Sequence, residues 1–360
     1  MRTTRAAEPS QSGTVMKPTK ITIPDELKAD LPQSRFGKVL GATPVVMAVV
    51  ATMLAGLASS EMTRAQYDRS LGAQQQSKAG DQWSFFQAKR LRGAIQHNTA
   101  DLLQTVTEIH PFDPAALEQL ARQPADQSNS PDSAALKKDL LGVLESPAGQ
   151  QALGLLKSGE PPKADVTLTV DPGITAAMHG VETSTPDAEL AVLVNQVDNK
   201  SLDAAMLSAR DKAEAFDTTT KPINQAIDQL DAFLGRLTML RQKSPAPARS
   251  DAITVDPLTS LTRDFTAARL RYAGLRYEIE ARLNQTIANL YEVQVRKSNI
   301  SAEHHHRRSQ RFFLGMLAAQ TGVIISTLAM AAKNRNLLWS IAAVAGSIAV
   351  AFAVYVFLYV

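Results

Sequence analysis

The sequence predicts an all-α membrane protein with three transmembrane helices, two of which continue into a helical, coiled-coil-like stalk bundle. Two observations predict this class: three long apolar segments without charge, and helical periodicity in the polar sequence between them. No Asp, Glu, Lys or Arg occurs in residues 39–60, 312–332 or 336–360. At ~1.5 Å per residue each segment can cross the ~30 Å core of a bilayer, where only a helix satisfies its own backbone polar groups.

Two other interpretations of these segments are less favoured. Buried helices of a soluble domain rarely run so far without a charge. A cleavable signal peptide would account for the first segment alone. The tail before that segment is longer than a normal n-region, and the apolar run exceeds the usual ~7–15 residues of an h-region. The chain has no cysteine, which excludes disulfides and thiol-ligated metals but does not assign a compartment.

The segments are expected to follow one another in a simple order. Residues 1–34 form a polar tail, rich in Pro, Ser, Thr and Lys, that we expect to be disordered. After it we predict a transmembrane helix at 35–60, a stalk helix at 61–109, an irregular Pro/Gly-rich insert with short helices at 110–186, a helical segment at 187–243, a returning stalk helix at 257–311, and transmembrane helices at 312–332 and 337–359. Within the insert, the alternation at 166–170 predicts a short strand. Pro222 is expected to start a new helix or to kink the existing one.

Two apolar seams predict how the stalk helices pack. One seam has 4-3-4-3 spacing and consists of Ile223, Ile227, Leu230, Leu234 and Leu237. The other, on the returning helix, consists of Leu261, Phe265, Ala268, Tyr272, Leu275 and Ile279. Such spacing is typical of helices that pack side by side, so an antiparallel bundle is expected. It does not distinguish pairing within one chain from oligomerisation.

The densest motif lies on the first stalk helix at residues 81–90. An aliphatic stripe runs along one side of this helix and consists of Ala88, Leu91, Ile95, Leu102, Val106 and Ile109. Trp83, Phe86, Arg90 and His97 fall on roughly the opposite side, so the helix is expected to have two packing partners. One interpretation places Trp83 and Phe86 in the bundle core. The other is an oligomer or partner interface, whose candidate residues are Asp81, Gln82, Trp83, Phe86, Gln87, Lys89 and Arg90.

The same motif resembles a bacterial membrane-protein family known only as domain of unknown function four-three-three-seven. Its signature reads Asp-Gln-Trp-x-x-Tyr-Gln-Ala-Lys, and this chain matches at Asp81, Gln82, Trp83, Gln87, Ala88 and Lys89, with Phe86 in place of the tyrosine. The resemblance covers about residues 35–105 and 290–360. It implies an N-terminal span, a helical middle and a C-terminal transmembrane hairpin, and it implies no activity.

A cluster of basic residues precedes the second span. It comprises His304, His305, His306, Arg307, Arg308 and Arg311, and we predict a basic collar at the membrane interface. Consecutive helical residues point ~100° apart, so the three imidazoles cannot converge on one ion and no metal site is expected. A pH-dependent interface is a further hypothesis, because imidazole titrates near neutral pH.

The turn between the last two spans is short and basic. Lys333 and Arg335 lie in it, and Trp339 is placed where an interfacial ring would sit. The numbers of Lys and Arg residues that flank the spans on the two sides of the membrane are nearly equal, so the positive-inside rule does not decide the orientation. The resemblance favours a multi-pass protein of the bacterial inner membrane, with the N-terminus in the cytoplasm and the middle region outside.

Catalytic templates are missing from the sequence, so neither an enzyme nor a cofactor is expected. There is no phosphate-binding glycine loop, no His-Glu-x-x-His and no nucleophile elbow. The expected function is a membrane-anchored scaffold or interaction module, whose partners are the bilayer and a second copy or another membrane protein, not nucleic acid. The alternative is a subunit of an oligomeric channel or transporter, which a polar face shared by Gln320, Thr321 and Ser347 would support.

Overall fold

The computed structural model describes residues 35–122, 131–243, 256–332 and 335–359, so the predicted disorder of the tail lies outside the described residues. The described part of the chain is almost entirely α-helical and contains no strand. Its helices are α1 (Arg35–Val106), α2 (Pro114–Arg122), α3 (Pro131–Glu145), α4 (Pro147–Ser158), α5 (Pro172–Glu182), α6 (Asp187–Gln196), α7 (Asn199–Lys243), α8 (Pro257–Ala331) and α9 (Arg335–Tyr359). Two compact units divide the chain, and each is described by itself: a span unit (Met1–Thr63 with His305–Val360) and a bundle unit (Arg64–His304).

The span unit contains the membrane-crossing segments. Helices α1, α8 and α9 are each long and apolar enough to cross a membrane, which confirms the predicted fold class. Small residues form much of the contact between them: Ala51, Ala58, Ala319 and Ala349 are buried. The Met47 side chain fills the space that Gly322 and Gly346 leave without a Cβ. Close approach of helices at small residues is the usual way in which transmembrane helices associate.

The bundle unit has two apolar cores. The first joins α2, α3 and α4 to α7 and to the beginning of α8, and its centre contains Leu117, Leu234 and Phe265. The predicted seam on α7 is buried here from Ile223 to Leu234. Tyr272 lies at the edge of this core and donates a hydrogen bond to Asn224 Oδ1 at 3.0 Å. Burial raises the pKa of Tyr272 to about 12.

The second core joins α5 and α6 to the first half of α7, to α8 and to Ala79 of α1. Its centre contains Ile174, Val194, Leu290 and Val293. The insert, which the sequence predicted as an irregular segment with short helices, contributes helices to both cores of the bundle unit. Each core draws on segments that are far apart in the chain, which is why local periodicity did not reveal them.

The strand predicted at residues 166–170 is wrong. This segment runs without secondary structure, because no other strand lies beside it to accept its backbone hydrogen bonds. Instead, Lys212 Nζ of α7 donates to Thr167 O and to Asp165 Oδ2, each at 2.5 Å. The hydrogen bond from Lys212 lowers the pKa of Asp165 below its usual value. The alternating apolar residues Leu168 and Val170 pack against the second core.

Two predicted helix boundaries also differ. The segment from residue 187 is split between α6 and α7, because Asp198 caps α7 by accepting a hydrogen bond from Ser201 N at 3.1 Å. That backbone hydrogen bond lowers the pKa of Asp198. Pro222 does not start a new helix, since α7 continues through it. Asp198 is thus a helix-capping signal in the sequence, and the continuous apolar periodicity around it led to the prediction of a single helical segment.

Candidate functional site

The signature residues lie on α1 within the bundle unit, and Gln82, Phe86 and Lys89 among them lie on the side that faces α8. Two glycines permit a close approach of these helices. A Cβ on Gly93 would lie 3.5 Å from Gly274 O, and a Cβ on Gly274 would lie 2.6 Å from Nε2 of His97. His97 Nε2 is in turn 3.2 Å from Glu278 Oε1. Glycine at position 274 is therefore what leaves room for the His97 ring.

Lys89 of the signature forms the polar centre of this contact. Its ammonium group pairs with Glu280 of α8, whose side chain is 13% exposed. Arg276 Nε is 3.5 Å from the other oxygen of Glu280. The Arg276 guanidinium also lies over the Tyr277 ring, 4.4 Å from its centroid, and Lys89 Nζ lies 5.5 Å from the same centroid. The largely buried carboxylate of Glu280 thus pairs with two cations, and both of these cations also contact the Tyr277 ring.

The other signature residues divide between buried and exposed positions. Trp83 and Phe86 are half-buried and meet edge to face, with 5.5 Å between ring centroids. Gln82 is half-buried, and its Oε1 atom has no hydrogen-bond donor within the described residues. A groove of about 340 Å³ runs past Gln82, Lys89 and Glu280. Asp81, Gln87 and Arg90 are exposed.

The opposite side of α1 carries the aliphatic stripe, which is exposed to solvent. Leu91 is 63% exposed, Ile95 50%, Leu102 63% and Val106 72%, and Ala88 is exposed as well. Ile109 lies beyond the end of α1 and is half-buried. We call Ala88, Leu91, Ile95, Leu102 and Val106 the α1 stripe. Single apolar residues are common on protein surfaces, but these five are aligned along one side of the helix.

The predicted basic collar is divided by the structure. His304 and Arg307 are exposed, and His306 and Arg311 are half-buried. Within the span unit, His305 and Arg308 instead contact the buried Glu61 of α1: His305 Nδ1 lies 2.6 Å from Glu61 Oε2, and Arg308 Nη1 lies 3.4 Å from Glu61 Oε1. Ser309, one residue further on, donates a hydrogen bond to Ala58 O at 2.7 Å.

At the hairpin turn, Trp339 is half-buried, and its Nε1 donates a hydrogen bond to Thr43 Oγ1 at 3.0 Å. Lys333 and the side chain of Arg335 lie outside the described residues. Among the described residues, no group of three His, Asp or Glu is arranged to hold a metal ion.

Sequence reasoning missed the two acids that organise these contacts, Glu61 and Glu280. Glu61 had one available signal: it is the first charged residue after the charge-free segment 39–60, seven positions before the next acid. Glu280 had none, because it lies among many charged residues on α8. Their importance follows from which cations the fold brings to them, and that information is not local in the sequence.

The fold and these contacts define a class of protein: a three-span membrane protein with a helical bundle, in which a signature face of α1 packs on α8 and an apolar stripe remains outside. Residues 36–138 match the model of the family described as Domain of unknown function (DUF4337). This match confirms the resemblance over that segment. The resemblance at 290–360 lies outside the matched residues and stays a prediction. No curated protein and no solved structure matches the chain.

Proposed function

We propose that the protein is a membrane-anchored scaffold or interaction module that binds a protein partner through the α1 stripe. The observation that carries this proposal is the exposure of that stripe on a helix whose other side is already packed against α8. The stripe is not a lipid-facing surface of a span, because the same stretch of helix carries Lys89, Arg90, Arg92 and Asp101.

Physical considerations favour a protein partner over water at this surface. Burying a Leu, Ile or Val side chain fully is worth about 1.5–3 kcal/mol. A partner that covered this row of half-exposed side chains would therefore gain several kcal/mol of favourable burial free energy. The helix is already held in place by the pairing of Lys89 with Glu280, so a partner would not have to order it. The proposed role is non-catalytic.

The alternative of a channel or transporter subunit receives less support. Gln320, Thr321 and Ser347 are exposed on the outside of the span unit, while Ala51, Ala319 and Ala349 are buried between its helices. The Thr321 hydroxyl donates to Leu317 O within its own helix at 2.9 Å. An exposed amide such as that of Gln320 favours a further contact between spans, which an anchoring role accommodates equally well.

Adding two negative charges to the stripe is expected to abolish partner binding. The variant Leu91→Glu/Leu102→Glu places a charge in each half of the contact and should weaken binding at least about a hundredfold, since central apolar contacts carry most of an interface's energy. The measurement is the mass of the full-length protein purified in mild detergent. The wild type is expected to carry additional protein mass, and the variant is expected to have lost it.

The matched control is Arg90→Gln/Gln104→Glu, which lowers the net charge by the same two units at exposed positions of α1 that lie outside the stripe. It should retain the additional mass, and both variants should melt near the wild-type temperature because none of the four positions is buried. A wild-type protein that purifies without added mass, or a stripe variant that keeps all of it, would contradict the proposal.

We further propose that the protein resides in the bacterial inner membrane with its N-terminus in the cytoplasm and the bundle unit outside. The basic residues Arg35, Lys38, Lys333 and Arg335 support this orientation. Since the chain has no native cysteine, single cysteines at Ser128 and Asn334 can be tested with a membrane-impermeant thiol reagent in intact cells. Ser128→Cys is expected to be labelled and Asn334→Cys protected; the reverse pattern would invert the orientation.

A further inference from the structure

We propose that the partner of the α1 stripe is a second copy of this chain, and that the two stripes pair in parallel and in register to form a symmetric homodimer. This inference rests on the proposed function and specifies its partner. It follows from three properties of α1: the spacing of the stripe, the charges beside it and the continuity of the helix.

The spacing of the stripe suits pairing with an identical helix. Ala88, Ile95 and Leu102 recur at intervals of seven residues, and Leu91 lies three residues after Ala88. This is the repeat that two-stranded coiled coils present to each other. The position corresponding to Leu91 in the next heptad is Asn98, which is exposed. The next such position is Thr105, which is also exposed, so the apolar part of the seam ends at Leu102 and Asn98 is the polar residue within it.

The charges beside the stripe do not oppose self-association. With Ala88 and Leu91 in the seam, other residues flank the seam on each helix. In a parallel pair, a flanking residue of one helix lies opposite the residue five positions later on the second helix. Gln87 then faces Arg92 of the second copy, Ala94 faces Thr99, and Asp101 faces Val106. No like charges are brought together. An acidic or basic partner would require a charged rim, and the stripe has mostly neutral neighbours.

The continuity of α1 selects the parallel arrangement. The helix runs without interruption from Arg35 to Val106, so it includes both the first charge-free segment and the stripe. Two copies inserted in one membrane with the same orientation therefore present their stripes in the same chain direction. Confinement to the bilayer also raises the effective concentration of the second copy, so that a short seam can suffice.

The test is a single-cysteine scan of residues 90–102 in the full-length chain, oxidised in native membranes. Disulfide-linked product of twice the chain mass is expected to peak at Leu91, Ile95, Asn98 and Leu102, with a period of about 3.5 residues. The exposed position Arg90, which lies outside the stripe and does not flank the seam, serves as the control and should give little product. Because Asn98 is exposed and polar, Asn98→Cys keeps the test valid if a stripe cysteine impairs folding.

A charge-exchange experiment tests whether the pairing is symmetric. Asn98→Asp should reduce disulfide formation at Ile95→Cys by about tenfold, since the two carboxylates would meet in the seam. Asn98→Lys should do the same. Co-expression of the two variants, each with Ile95→Cys, should restore the product. Restoration is expected only if residue 98 of one copy faces residue 98 of the other.

Each of the remaining outcomes would contradict the homodimer. They also show whether the proposed interaction function fails with it. A product of a different mass would show that another protein occupies the stripe. If no disulfide product forms and Leu91→Cys is protected from maleimide, the stripe is covered by a partner that has no nearby thiol or by another segment of this chain. An absence of product with free maleimide reaction at Leu91→Cys would contradict both the homodimer and the interaction module. Equal product at all positions would indicate random collision.

Discussion

Replacing Glu61 by alanine is expected to destabilise the span unit by about 3–5 kcal/mol, the range found when one partner of a buried ion pair is removed. Glu61 is 7% exposed and lies within contact of His305 and Arg308, whose side chains are 19% and 17% exposed. Without the carboxylate, the Arg308 guanidinium would stay largely buried and would lose its ion pair with Glu61. The expected result is an earlier loss of the monodisperse protein peak when detergent-solubilised protein is heated.

Two further variants separate this cause from a general effect of mutating α1. Asp101→Ala removes an exposed acid from the same helix and should change stability by less than about 0.5 kcal/mol. Glu61→Leu combined with Arg308→Met removes the acid and its arginine partner together, and should recover much of the lost stability, because an apolar pair avoids the desolvation of two ions. If Glu61→Ala melts like the wild type, the buried pair does not stabilise the span unit.

The spans were predictable because each is a local property of the sequence. A run such as 312–332 reveals itself through the absence of charge, whichever residues it later contacts. The seam from Ile223 to Leu234 was predictable for the same reason, since helical spacing aligns its residues before any tertiary contact forms. The strand prediction at 166–170 failed because alternation is necessary for a strand but a neighbouring strand is also required, and none lies beside this segment.

The candidate site was only half predictable. Periodicity showed that α1 has two apolar sides, but it could not show which side the fold would cover. The structure covers the side of Phe86 and Lys89 and leaves Leu91 and Leu102 exposed. Glycines 93 and 274 decide this, because they allow α1 and α8 to approach at the signature face. That pairing joins residues about 180 positions apart. Over such a distance, local sequence patterns do not show which residues of the two helices lie opposite each other.

Replacing Glu280 by alanine should be the most damaging single change at the signature face, at about 3–5 kcal/mol. The carboxylate is the shared partner of Lys89 and Arg276, so its removal leaves two cations side by side in a largely buried contact. For a domain of this size, the loss corresponds to a fall in melting temperature of roughly 6–20 °C. By comparison, Lys89→Met leaves Glu280 paired with Arg276 and should have the smaller effect.

Glu278 provides the matched control, because it lies two residues away on α8 and pairs with His97 but is 49% exposed. Exposed ion pairs contribute about 0–1 kcal/mol, so Glu278→Ala should melt within a few degrees of the wild type. An equal effect of the two substitutions would show that burial of Glu280 is not what matters. If Glu280→Ala also abolishes disulfide formation at Ile95→Cys, the signature face supports the stripe by holding α1 against α8, and the two sides of this helix act together.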